Sequence, residues 1–300
     1  MIDVAALARA LGYAGALVVV GAVIARSLLR QSWHAEGDAA ARSIAQHRLA
    51  LLTFGATFLL LFAAAMALHH QALDLVDEGE TLSAAQYRLA LASAWAAGWK
   101  AQVAAALLAL VAWLPGRTRP YFGARLAPLA ALALAATFPL TGHFHALPIG
   151  RVWGVLLGAL HLLGAGLWLG TLALLAAVGW SGDAEGRGSR VARLIARFSP
   201  RALTGAALLA LTGVLTGWQT VGSFGALTAT PYGRMLLIKL SFLVGVAALG
   251  AFNWRVVQPK LAAGTGEGIL RRSALIELAL GAGLLLATAI LVALPAPGLD

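Results

Sequence analysis

Apolar residues run through this chain in eight long stretches separated by short polar intervals, at 8–29, 48–69, 93–114, 125–142, 152–178, 201–221, 232–254 and 273–294. A helix needs roughly 20 such residues to cross a hydrocarbon core about 30 Å thick. The runs are continuous in Ala, Leu, Gly and Val, without the alternation in short segments that a membrane barrel requires. The pattern predicts an all-α polytopic membrane protein of eight transmembrane helices. Arg9, Arg26 and Arg30 flank the first run and no small-residue cleavage site precedes the second, so the first reads as a retained helix.

Composition agrees with this reading. Of 300 residues, 60% are hydrophobic and 11% charged, with a mean hydropathy of +0.84, outside the soluble globular range. The net charge of +10 would suggest nucleic acid in a soluble protein, but its placement gives it another meaning. Arg26, Arg30, Arg42 and Arg48 fall around the first loop, Arg117, Arg119 and Arg125 around the third, Arg187, Arg190, Arg193, Arg197 and Arg201 in the fifth, and Arg255, Lys260, Arg271 and Arg272 around the seventh. The even loops and the amino terminus hold only Arg9, Arg88, Arg151 and Arg234. By the positive-inside rule the odd loops are cytoplasmic and both termini face outward. The charge is a topology signal, and no nucleic-acid partner is expected.

Three loops are longer than the rest. Residues 31–47 and 179–199 are cytoplasmic, and the second, in "GWSGDAEGRGSRVARLIARFSPR", becomes a basic amphipathic stretch suited to anionic lipid headgroups. Residues 70–92 form the main outward loop, with Asp74, Asp77, Glu78 and Glu80 against Arg88 alone. That excess attracts cations, or simply reflects basic residues being kept inside. Small-residue spacing shared by 10–21 and 159–170, and the placing of Lys100 and Lys239 in the third helix of each half, suggest two four-helix halves, 1–142 and 143–300.

Ionisable groups in a membrane span cost several kcal/mol unless paired, hydrated or liganded, which makes the histidines the first candidates for chemistry. His69 and His70 close the second helix at its outward end, His143 and His145 the fourth, and His161 lies about three turns down the fifth from the same side. Met66, His69 and His70 stand at i, i+3 and i+4, so a thioether and two imidazoles share one face. His143 and His145 lie between Pro139 and Pro148, where a broken helix end lets a His-x-His pair converge. With no cysteine in the chain, a metal site must use nitrogen, oxygen or thioether sulfur. Imidazole with thioether suits copper, as Cu(I) or Cu(II), and also accepts zinc or nickel. The rival reading is haem b, with His69 or His70 and His143 or His161 as axial ligands. A plainer one leaves the histidines in the headgroup region.

Other polar residues carry weaker signals. Lys100 and Lys239 either snorkel outward, balance an anion such as a haem propionate, or repel cations along a pathway. Asn253 and Arg255 end the seventh helix and Glu277 lies about one turn into the eighth, so Glu277 is expected to meet Arg255 or Asn253. No nucleophile–base pairing stands out, and no enzymatic activity is expected.

At "HLLGAGLWLGTLALL" (161–175), with His161 and Trp168 followed by Leu169 and Gly170, the sequence resembles the CopD family of bacterial inner-membrane copper proteins. The likeness continues through "RFSPRALTGAALLALTGVLTGW" (197–218), "TPYGRMLLIKLSFLVGVAALGAFNWR" (230–255) and "LRRSALIELALGAGLLLATAILVALPAP" (270–297). It covers most of 143–297, and 1–142 only in helix layout. The resemblance implies copper uptake across the inner membrane or copper tolerance, eight helices with both ends periplasmic, and a soluble periplasmic copper carrier of the CopC type as partner.

Overall fold

The computed structural model describes all residues except 1–3, 35, 78–79, 115–119, 143–148, 183–185, 264 and 299–300. Among the described residues there is no strand. The helices, in chain order, are α1 (Val4–Ser32), α2 (Ala39–Leu73), α3 (Ala84–Ala92), α4 (Trp95–Ala112), α5 (Pro120–Thr137), α6 (Arg151–Ala165), α7 (Thr171–Val178), α8 (Arg187–Val221), α9 (Ala226–Ala229), α10 (Pro231–Phe252), α11 (Gln258–Ala262) and α12 (Glu267–Leu291). A π-helical turn, Gly166–Gly170, joins α6 to α7, and a second, Asn253–Val257, joins α10 to α11. Among the described residues, seven helices are long and apolar enough to cross a membrane; the eighth expected span is the shorter apolar helix Arg125–Thr141, where α5 tightens into a 3-10 turn at Phe138–Thr141.

The polar loops hold more helix than hydropathy predicts. α2 begins at Ala39 and α8 at Arg187, well before their apolar runs, and each is 35 residues long, about 52 Å at 1.5 Å per residue. The basic stretch of 187–199 is therefore the first part of a spanning helix. Side chains tie these extensions together. Arg193 donates to Asp38 Oδ2 at 2.6 Å and to the Ser32 carbonyl at 2.9 Å, while the buried Trp33 indole donates to the Arg190 carbonyl at 3.1 Å. In the outward loop, Ser83 and Gln86 form a capping box that starts α3, the Ser83 hydroxyl accepting from Ala85 N and the Gln86 carboxamide oxygen accepting from Ser83 N.

α1 is the centre of the packing: α2, α5, α6, α7, α8 and α12 all lie against it. Its approach to the first π-helical turn is backbone to backbone. A Cβ on Gly170 would overlap the Leu17 carbonyl, and one on Gly21 would overlap the Gly170 peptide. Thr171 closes this contact, its hydroxyl lying 3.2 Å from the Gly166 carbonyl and 3.4 Å from that of Gly21. Interfaces of this kind are how helices associate in lipid, where no water drives them together and close packing must do it. The second π-helical turn has a different cause. In a regular helix the Pro259 ring would collide with the Arg255 carbonyl four residues earlier, and the wider turn precedes it.

Candidate functional site

His69, His70 and His161 share one feature, which is that Nδ1 is engaged by a protein side chain. His69 Nδ1 lies 2.6 Å from the Tyr87 hydroxyl of α3, His70 Nδ1 lies 3.0 Å from Asp74 Oδ2, and His161 Nδ1 lies 2.8 Å from Thr212 Oγ1 of α8. For two of them the partner fixes the tautomer. The Asp74 carboxylate only accepts, so His70 carries its proton on Nδ1. The Thr212 hydroxyl has one proton, which it gives to the Leu208 carbonyl at 2.6 Å, so it accepts from His161 Nδ1–H. In its neutral form each ring then has its lone pair on Nε2. This is the arrangement of a metal-ligating imidazole, in which the second nitrogen is held by an acceptor that orients the ring and raises its basicity.

The histidines do not share one pocket. His70 lines an outer pocket of about 210 Å³ with Arg9, Gln71, Asp74 and Gln102, and His161 lines a larger cleft of about 470 Å³. Tyr13 and Phe138 line both spaces, their ring centres 5.5 Å apart, and stand as the wall between them. Met66 is half-buried on α2 and His69 is exposed beside α3. Among the described residues no three of His, Asp and Glu gather in a metal-binding group. His143 and His145 lie outside the described residues.

The remaining candidates divide by surroundings. Lys100 is exposed and donates to the Leu91 carbonyl at 2.9 Å, closing the carboxyl end of α3, a position that favours a cation. Lys239 lines the cleft. Of the two partners expected for Glu277, the structure selects Asn253: its amide donates to Glu277 Oε2 at 3.2 Å while its carbonyl accepts from Ser273 Oγ at 2.6 Å. Arg255 is exposed, with its guanidinium 6.0 Å from the Trp254 ring centre. Glu277 is 3% exposed, and the buried Trp168 ring lies on the same side of Gly250 as its carboxyl group. Trp168 and Asn253 belong to the two π-helical turns, and the second of these points the Asn253 amide at the buried Glu277 carboxyl group. π-helical insertions are frequent at functional sites. Thr212, Tyr87 and Ser273 were not among the sequence candidates; a threonine inside an apolar run was the signal available for the first.

Comparison with known proteins points to copper. Residues 192–291 match the family described as copper resistance protein D, CopD. The chain is also 31% identical over 179 residues to the copper transport protein CutJ of Bacillus subtilis (strain 168), an alignment covering 59% of this chain and 32% of that one. The chain thus spans about a third of the length of the curated relative it matches. No solved structure matches. Neither comparison points to haem. The matched segment contains Lys239, Asn253, Arg255 and Glu277, while His161 and Trp168 precede it. Residues 192–291, which include the half-buried Asn253 and the buried Glu277, are thus similar to the CopD family.

Proposed function

We propose that this protein takes copper from the periplasmic side of a bacterial inner membrane and moves it across, in copper uptake or tolerance. The observation that carries the reading is the fixed imidazole tautomer at His70 and His161, in a chain whose last third matches copper resistance protein D. Copper enters as the transported substrate, delivered by a soluble periplasmic carrier of the CopC type. It is held by ligands drawn from Met66, His69, His70, His143 and His145, with His161 as a deeper nitrogen beyond Tyr13 and Phe138. Lys239 lines the same cleft as His161 and repels Cu(I) half as strongly as Cu(II), so the deeper nitrogen favours the singly charged ion.

Eight crossings follow from parity. Were the helix Arg125–Thr141 not to cross, every later loop would change sides and the arginines of 187–201 would lie outside. With eight, arranged as halves 1–142 and 143–300, all the basic loops are cytoplasmic and both termini periplasmic. The test is metal analysis with a visible spectrum of detergent-purified protein after copper loading and washing. About one tightly held copper per chain without a Soret band is expected, with copper lost in His70→Ala and affinity lowered about 10–100-fold in Thr212→Val. Unchanged stoichiometry and affinity in both variants would remove this site, and a Soret band would make the histidines haem ligands.

A further inference from the structure

The cleft that contains His161, about 470 Å³, is far larger than a metal ion needs. It lies between α8 and α10, which scarcely touch each other along their lengths although only the short α9 connects them. Val214, Trp218 and Leu240 line the cleft and are themselves exposed, so it opens sideways, where acyl chains surround the protein. Its walls are mostly aliphatic and aromatic. Lys239 is the single charged side chain among the lining residues, and it has no hydrogen-bond or ion-pair partner among the described residues. An ammonium group in such surroundings needs an oxygen acceptor, and neither a carboxylate nor the lining hydroxyls of Thr216, Thr220, Ser223, Tyr232 and Thr288 supplies one.

The acceptor has to be part of an amphiphile, because the cleft opens to lipid, and depth decides which kind. Lys239 is eight residues past Pro231, about 12 Å below the start of α10. A phospholipid phosphate stays at the interface, above that level. A quinone ring has carbonyl oxygens on an apolar body and enters the hydrocarbon freely. The volume of about 470 Å³ is within the range of pockets that hold one small organic ligand. We propose that the cleft between α8 and α10 binds a membrane-soluble isoprenoid quinone, with a ring carbonyl accepting from Lys239 and the tail leaving between Val214 and Leu240. The ring then rests beside His161 and Trp168, which line the same space.

The proposal does not depend on copper and is tested on metal-free, detergent-purified protein. A short-chain quinone analogue is titrated while tryptophan fluorescence is followed, since Trp168 and Trp218 both line the cleft. Saturable quenching is expected, weakened about tenfold in Lys239→Met through loss of a charge-assisted hydrogen bond. Ala210→Phe narrows the mouth from its exposed side, where folding is not at risk, and should weaken binding as well. Absence of saturable quenching in the parent protein, or an affinity equal to the parent's in both variants, overturns the proposal. So does solvent extraction of membrane-purified protein that yields phospholipid and no quinone.

Discussion

Replacing Gly170 by alanine adds one methyl group at the closest approach in the molecule, where the Leu17 carbonyl already occupies the space. Overpacking usually costs about 1–3 kcal/mol. The obstacle here is the main chain of α1, which has no rotamer to yield, so the upper end, about 3 kcal/mol, applies. Alanine recovers about 1 kcal/mol through its greater helix propensity. The net is about 2 kcal/mol of destabilisation, roughly a thirtyfold change in the folded-to-unfolded ratio. Gly55→Ala is the matched control: nothing lies within 4 Å of its new methyl, and only the propensity gain of about 1 kcal/mol remains. The two substitutions therefore have opposite signs. Thermal unfolding in detergent, followed by the fluorescence of the nine tryptophans, reads both. If Gly170→Ala unfolds at or above the parent temperature while Gly55→Ala rises as expected, the backbone contact between α1 and the π-helical turn is wrong.

Two further outcomes are expected. Asn253→Leu strips a donor from the buried Glu277 and should cost about 2–3 kcal/mol, and adding Glu277→Leu should restore part of it, because the stranded carboxyl group is then gone; equal stability of the single and double variants would refute this account. The chain has no cysteine, so Gly37→Cys and Ser223→Cys each place one thiol in a clean background. A membrane-impermeant maleimide should label Ser223→Cys in intact spheroplasts and Gly37→Cys only after permeabilisation, and the reverse pattern would invert the topology.

The spans were legible because a bilayer imposes a length and a polarity that hydropathy reads directly. The helical extensions of α2 and α8 were not, since they lie in polar sequence and are held by Arg193, Asp38 and Trp33, partners far apart in the chain. The α3 helix was missed although Ser83 and Gln86 spell a capping box. Asn253 as the partner of Glu277 could be anticipated because a short connection makes α10 and α12 neighbours. The pairing of His161 with Thr212 could not, because it depends on the rotation of α8 against α6, which no periodicity fixes. The same limit applies to the histidines as a set. Spacing put Met66, His69 and His70 on one face, but the wall of Tyr13 and Phe138 between the two spaces comes from how α1 and α5 pack.

The glycine contact at Leu17, Gly21 and Gly170 also determines how the molecule can move. Two main chains in direct contact have no soft layer of side chains to shear, so α1 and the span Arg151–Val178 must travel as one rigid body. α8 and α10 have the opposite relation: their middles scarcely touch, and buried clusters hold the two spans together near their ends, Val221 with Tyr232 at one and Val191 with Val257 and Leu261 at the other. For the copper movement proposed above, this makes α1 the fixed part and the seam between α8 and α10 the part that can rock, and a crosslink across that seam should stop it where one across the glycine contact should not.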